Sequence, residues 1–497
     1  MQRRYIAYIS SLESEVGLEK PQSPIQLNMS FTGENPFAER LRDGKFLILF
    51  EYSPPMQEQP FESAITFGAA IARRVRNVPE ISGMAVADRL KGENTHDPVE
   101  VAAALAEASE KAPLLHISGK GSSPARVREL LARAGSNGIR NILAVTGDRS
   151  DQHLFREGSA SIPSYKNGYL DSVDTLRLSQ GAGRKFFAGA VVNPLKYNPA
   201  DQYLQYYKMM RKLGSGAEFL IAQAGWDMKK LQELQWYMQM RGVDNPVIAR
   251  LMLLSTDDIS AIHDDPFPGV PIARSFAAML QRESTISATQ SLAAQLQRIG
   301  LQVAGCKLLG YSGVQIAGIR DVQTIDMVLD RIREALETYH DYADWLAAWN
   351  DFHNFMQFDP IPNAYYVFSG LMQPDQQRYE AEKCQLTEQL LPSPSMADRC
   401  RAVLKPPLLS EKLPGLMVDM ARRLIFPRSK LPVKLLQYCQ YLSPSACPKN
   451  LVYGPCGGSR PDGTCEFGHG PCFFHRVLAL ASFRKELDSL EEGIAHD

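Results

Sequence analysis

The chain has 497 residues, more than one hydrophobic core ordinarily supports, so it reads as a large domain with a smaller one attached. Lys and Arg number 54 against 55 Asp and Glu, a formal net charge of −1, and no long basic tract breaks that balance. An electrostatic nucleic-acid surface is excluded, and small-molecule chemistry is favoured.

The first twenty residues, MQRRYIAYISSLESEVGLEK, carry two arginines but no continuous apolar core, because Ser and Glu interrupt it. No run of about 18 apolar residues occurs further on, so no membrane span is predicted and the expected location is the cytoplasm. Residues 1–35 read as an N-terminal arm.

From 36 to 345, short apolar and β-branched runs alternate with helical patterns. Strands are predicted at 45–52, 83–88, 113–118, 141–146, 186–192, 218–223, 246–251 and 313–319. Between them, stretches such as 98–111, 124–135, 199–213 and 227–242 show helical spacing with Gly or Pro at their ends. Eight such cycles predict an α/β fold, a parallel (β/α)8 TIM barrel. Alternation alone also suits a doubly wound open sheet, but no G-x-G-x-x-G follows the first strand.

Barrel chemistry sits where strands end. Glu51, Asp88, His116, Asp148, Gln223 and Arg320 each follow or end an apolar run. Any one of them is accounted for by a capping or turn role; the series points to a site. Glu51 lies inside the apolar run ILFEYSPP, ahead of Pro54 and Pro55, which enforce an extended exit. Desolvation there is expected to raise its pKa and suit it to general acid work, against the plainer reading of a solvated strand-end glutamate.

Residues 346–430 read as a helical linker region. A long helix is predicted after Arg333, its Tyr, Trp, Leu and Phe positions forming a core stripe against the barrel or, alternatively, a cover over a ligand or partner surface. LLPSPSMADR and LKPPLLSEKLPG are Pro-rich connections, and ARRLIFPRSKLPVKLLQY is a basic, apolar segment suited to docking the tail.

Residues 431–497 form a smaller, cysteine-rich part. Cys447, Cys456, Cys465 and Cys472 follow one another as C-x8-C-x8-C-x6-C among Pro and Gly. In a reducing compartment four such thiolates suit a metal, either Zn²⁺ or a [4Fe–4S] cluster, and the spacing matches neither zinc ribbons nor bacterial ferredoxins. Gly457 and Gly458 would let backbone N–H groups approach the sulfurs. His469 and His475 read as bystanders, Cys439 as a single upstream thiol, and Cys306, Cys384 and Cys400 as packing or surface residues.

FEYSPP at the first strand, LLHISG at the third, AVTGD at the fourth and the Gln of LIAQAGWD at the sixth resemble the methylenetetrahydrofolate reductase family, in strand order over residues 36–345. The resemblance implies a flavin-containing barrel that interconverts 5,10-methylene- and 5-methyltetrahydrofolate. It implies Glu51 as the acid that opens the imidazolidine ring to an iminium, and Asp148 beside flavin and pterin. Gln223 would bond the pterin, His116 and the main chain of Val145, Thr146 and Gly147 the flavin, and Lys212 a flavin phosphate. Arg320 matches a substrate-side arginine, and Asp88 is placed with it as a strand-tip carboxylate. FAD is expected ahead of FMN, with NAD(P)H as electron donor and folate as substrate; an electron-transfer protein partner and a homo-oligomer stay open.

Two departures stand out. Thr146 occupies the place of an arginine that commonly precedes Gly-Asp, and Ala190 and Asn193 stand where a flavin-contacting aromatic is usual. The tail, CPKNLVYGPCGGS with TCEF and PC, resembles the C-terminal domain of the same reductases, and fusion to a flavin barrel favours the cluster over Zn²⁺. The departures also support a second reading, a folate-binding or methyl-transfer scaffold whose metal tail docks an electron-transfer or corrinoid partner.

Overall fold

All eight apolar runs are strands, as near-continuous hydrophobic sequences covered on both faces should be. They are β1 Leu47–Tyr52, β2 Ile81–Val86, β3 Leu114–Ser118, β4 Asn141–Val145, β5 Phe187–Val192, β6 Phe219–Ala222, β7 Val247–Met252 and β8 Gly313–Ala317. In the computed structural model they pair in parallel in sequence order, and β8 returns to β1 through Leu47 opposite Gly313, closing the barrel. The structure describes residues 35–491 except 89–93, 149–168, 183–185, 263–268, 355, 357, 381–383, 386, 401–402, 404–415, 419, 421–432 and 469. The N-terminal arm, apart from Asn35, and His469 therefore lie outside the described residues.

The helices used below are α1 Pro36–Arg42, α2 Pro98–Ser109, α3 Pro124–Ser136, α4 Ser172–Gln180, α5 Pro199–Gly214, α6 Met228–Met240, α7 Ala288–Leu308, α8 Val322–Thr338, α9 Tyr342–Phe352 and α10 Phe473–Phe483. Their starts are written in the sequence. Asp97, Ser123 and Asn198 each accept a backbone N–H at an N-cap and are followed by Pro, whose missing N–H is harmless in the first turn. The single long helix expected after Arg333 is two: α8 ends at Thr338, and Asp341 caps a new start for α9. The aromatic stripe of α9 is core, with Trp345 fully buried and its indole N–H donating to the Leu301 carbonyl at 2.7 Å.

Strand parity decides what the barrel encloses. Leu47 and Leu49 of β1, Leu114, Leu143, Phe187, Phe219 and Ile248 share one apolar cluster with Phe37, Ala38 and Leu41 of α1. Helix α1 thus plugs the N-terminal end, its Phe37 ring edge-on to Phe187 and Phe219 with centroids 6.0 and 5.6 Å away. The same parity carries Glu51, His116, Gln223, Arg250 and Gln315 above this layer, toward the C-terminal mouth.

A second apolar core joins the cysteine-rich segment to the barrel's outer helices. Val173 of α4 and Tyr203, Leu204 and Tyr207 of α5 cluster with Leu451, Tyr453, Phe474 and Leu478. Four α5 and pre-α5 cations are directed at main-chain oxygens or partners here. Lys208 Nζ donates to Gly454 O and to Asp171, and Arg211 Nη1 to Tyr453 O at 2.9 Å. Lys196 Nζ donates to Gly457 O and Ser459 O at 2.8 and 2.7 Å, and Lys212 Nζ to Val191 O. Part of the expected linker also packs on the barrel: Val367 N donates to Glu233 of α6, and Tyr366 donates to Asp227.

Because that core is shared, Leu478→Ala, at a fully buried position, should destabilise the protein by about 2–5 kcal/mol. Barrel and tail should still unfold in one calorimetric transition. Two resolved transitions would show separate cores.

Candidate active site

The lumen's upper layer is polar and tightly paired. Arg250 of β7 grips Glu51 of β1 in bidentate fashion, Nε to Oε2 at 2.6 Å and Nη2 to Oε1 at 2.7 Å. Gln315 of β8, between those strands, donates Nε2 to Glu51 Oε2 at 2.6 Å. Arg250 Nη1 also donates to Gln223 Oε1, just past the end of β6, at 3.2 Å, so one guanidinium links β1, β7 and the β6 tip. Since a carboxylate only accepts, Glu51 fixes the Gln315 carboxamide and turns its Oε1 away. Gln315 Oε1 and His116 Nε2 are both buried, and the two side chains interact with each other.

This pairing reverses one expectation. Burial pushes the Glu51 carboxyl up, but the charge and hydrogen bonds of Arg250, with smaller help from His116 and Gln315, carry it down to about 2. Glu51 is therefore an anion at rest, not the raised-pKa acid its apolar run suggested. Burial, opposed by Glu51, holds His116 at about 4, so its imidazole is neutral. Arg250 and Gln315 escaped the sequence reading, although VIARLM and GVQIA carry the same signal as Glu51, one polar residue inside an apolar strand.

The other named residues separate into groups. Gln223 joins the lumen network. Asp88 does not: its Oδ2 accepts from Ser118 N at 2.8 Å and its Oδ1 from Arg126, which makes it a tie between β2 and β3. Arg320 is half-exposed and donates to Asp258 at 2.5 Å, at a helix start beyond the rim. Thr146 donates its hydroxyl to Ser172 of α4, toward the helical layer. Asp148 pairs with Lys120 at 3.2 Å at the β4 tip. Val145 is half-buried at the end of β4, and Gly147 follows with φ +87°, a conformation glycine adopts without strain.

Two features bear on a cofactor. Buried polar edges on His116 and Gln315, beside the glycine turn at the β4 tip, suit a flat heterocycle with hydrogen-bonding edges. Lys212 does not suit a phosphate as it stands: it is buried, its ammonium is on Val191 O at 2.5 Å, and burial with the neighbouring Lys208 lowers its pKa to about 7.

The four tail thiols share a local motif. Gly458 N donates to Cys456 Sγ at 3.4 Å, Leu451 and Lys449 donate backbone N–H groups to Cys447, and Phe467 and Phe474 donate theirs to Cys465 and Cys472. Each sulfur thus accepts from the residue two positions on. Burial pushes the Cys456 thiol up to about 12, and it donates to Glu466 Oε1 at 3.0 Å. Among the described residues, no three His, Cys, Asp or Glu side chains stand so as to hold one metal ion. Nor, among those residues, is any helix long and apolar enough to cross a membrane.

Residues 37–282 match the family model for methylenetetrahydrofolate reductase, and residues 434–496 match that for the methylene-tetrahydrofolate reductase C terminal. No curated protein matches the chain. Among solved structures, an uncharacterized protein from Clostridium thermocellum that binds two copies of 5-methyl-5,6,7,8-tetrahydrofolic acid aligns at 15% identity and TM-score 0.47, over 61% of this chain and 99% of its own. A phosphoenolpyruvate phosphomutase from Streptomyces platensis subsp. rosaceus aligns at 13% identity and TM-score 0.31, over 64% and 95%. Neither likeness is strong enough to bear on function. The two family matches do bear on it: the chain carries a methylenetetrahydrofolate reductase family domain and a C-terminal domain of that type, and is a methylenetetrahydrofolate reductase-like oxidoreductase.

Proposed function

We propose that the barrel mouth interconverts 5,10-methylene- and 5-methyltetrahydrofolate by flavin-dependent hydride transfer, with Glu51 handling the proton. The observation that carries this reading is the joining of Glu51 of β1 and Gln223 at the β6 tip through Arg250 at the mouth of a barrel that matches the reductase family. Gln223 would hold the pterin edge. His116 and the main chain from Val145 to Gly147 would hold the flavin ring, FAD ahead of FMN, which when bound supplies a reversible two-electron store refilled by NAD(P)H. Lys212 would reach a phosphate only by leaving Val191 O.

The ion pair sets the proton step. Keeping a proton at pH 7 on a carboxyl of pKa about 2 costs on the order of 7 kcal/mol, so Glu51 cannot act as an acid while Arg250 grips it. Swinging the guanidinium toward Gln223, which it already touches, would release the carboxylate. Burial then works the other way and favours the protonated form that opens the folate ring. In the reverse direction the same carboxylate would receive the proton, so the site reads equally as donor and acceptor.

For the tail we infer a [4Fe–4S] cluster on Cys447, Cys456, Cys465 and Cys472 rather than Zn²⁺. Support comes from the five backbone N–H···S bonds, which offset thiolate charge, and from the fusion to a barrel of the flavin-using reductase type, which favours the cluster. A second reading, a folate-binding scaffold that docks an electron-transfer or corrinoid partner, is favoured by the resting ion pair itself, since Arg250 keeps Glu51 from acting as an acid.

Three measurements check these points. Glu51→Gln should retain a yellow flavin spectrum and lose methylenetetrahydrofolate reduction at least a hundredfold; undiminished turnover would remove Glu51 from the proton step, and a colourless wild-type protein that binds folate would favour the scaffold. Arg250→Met should weaken folding at pH 7 by about 3–5 kcal/mol by leaving a buried carboxylate alone. With its cation the Glu51 pKa lies below the ordinary 4.5, so its stabilisation is present above that value and is lost only as pH falls toward about 2. Without it burial raises the pKa, so the penalty is largest at high pH. The urea-midpoint gap between variant and wild type should therefore narrow from pH 7 to pH 5; a constant gap would refute the pairing. Elemental analysis of protein purified without oxygen should give about four irons with matching labile sulfide, whereas one zinc and no iron would replace the cluster.

A further inference from the structure

The C-terminal segment touches the barrel mouth at two strand tips. At the β5 tip, Asn193 donates both amide hydrogens, to Gly269 O at 2.9 Å and Gly457 O at 2.8 Å, while its Oδ1 accepts from Leu195 N. At the β4 tip, Lys449 Nζ donates to Gly147 O at 2.6 Å and pairs with Glu466 Oε1 at 2.5 Å. The Lys449 side chain is only 2% exposed. The next carbonyl, Asp148 O, accepts from Tyr169 Oη at 2.8 Å, and the Tyr169 ring lies under the Lys449 ammonium, 4.9 Å from its centroid. Two successive carbonyls beyond the end of β4 are therefore held by two side chains that also stack as a cation–π pair.

From this geometry we infer that Lys449, carried by the C-terminal segment, is a positioning residue for the barrel's ligand site: it fixes the Gly147–Asp148 tip in the orientation that receives substrate. The segment is thereby a wall of the mouth and not an appendage beside it. The β4 ladder ends at Val145, so sheet hydrogen bonds do not set the direction of the Gly147 carbonyl. Gly147, at φ +87°, has the freedom to turn. An ammonium shared with a buried carboxylate on the far side removes that freedom. Asp148 follows directly, and its side chain is steered to Lys120. The choice of ligand below rests on the folate reading; the positioning claim has a readout of its own.

The test compares full-length wild type, Lys449→Met and Lys449→Arg. Amide hydrogen exchange over residues 145–148 is read against residues 51–52 at the β1 tip, and affinity for 5-methyltetrahydrofolate is measured by calorimetry. In Lys449→Met, exchange should quicken at the β4 tip and stay unchanged at the β1 tip, with folate affinity reduced about tenfold. Lys449→Arg, which keeps charge and reach, should restore both. Should the bare Glu466 prevent Lys449→Met from folding, Lys449→Met/Glu466→Gln removes both charges and carries the same test. Unchanged exchange at 145–148, or equal acceleration at both tips, would overturn the inference. So would undiminished affinity in a Met variant whose β4 tip has loosened. If wild type does not bind 5-methyltetrahydrofolate, the folate reading fails, and the exchange comparison with arginine rescue still decides the role of Lys449.

Discussion

Inside the closed barrel Arg250 reaches past β8 to hold Glu51 by two hydrogen bonds, and neither charge could be buried there alone without a penalty of several kcal/mol. The pair exists because closure brings β1 and β7 to either side of β8, so residues 199 positions apart in sequence share one layer. It also orders its neighbours. Gln315 is turned by the carboxylate, Gln223 accepts from the third guanidinium nitrogen, and His116 is left neutral beside them. Gln315 and Gln223 take their orientation from this contact, so the resting site presents a carboxylate with a built-in competitor for its charge.

A neutral barrel rim would leave β4 and β5 tips to solvent. Here they are covered by chain that lies more than 250 residues further on, held by main-chain oxygens that accept from Lys196, Lys208 and Arg211. Carbonyl acceptors on a turn-rich segment can meet buried ammonium and guanidinium groups without bringing a second set of charges into the interface, which keeps desolvation lower than a row of ion pairs would. Among the described residues, charged contacts across the boundary are few: Glu491 pairs with Arg241, and His475 Nε2 meets Asp201, while Glu466 faces Lys449 within the segment itself. The shared apolar core behind these contacts, from Tyr203 and Leu204 to Phe474 and Leu478, gives the interface the character of a domain interior.

The strands were legible because a parallel barrel buries both faces, so each strand prints as an apolar run bounded by turns. Glu51 was legible for the same reason, as a polar residue where none belongs. Arg250 and Gln315 print just as clearly, but attention to strand ends passed over them, since they lie within their strands and reach the mouth through their length. Asp88 and Arg320 show how ordinary a polar residue after a strand is: in the resting structure these two face Ser118 and Asp258. The charge state of Glu51 could not be read locally at all. It depends on a cation whose distance is set by barrel closure, and burial alone predicts the opposite sign.

The two departures noted in the sequence acquire a common account once the tail is in place. Thr146 turns its hydroxyl to Ser172, so no side chain from that position enters the mouth, and Lys449 brings its ammonium to the adjacent Gly147 carbonyl from outside the barrel. Asn193 uses its carboxamide to bind Gly269 and Gly457, which a bulky aromatic could not do without displacing the tail. Gly457, at φ +90°, lets its carbonyl approach that closely, with its Cα facing the Asn193 and Gln205 side chains. Small or hydroxyl-bearing residues on the barrel side and glycine on the tail side are what close main-chain contact requires, so these positions read as the two halves of one interface at the edge of the site.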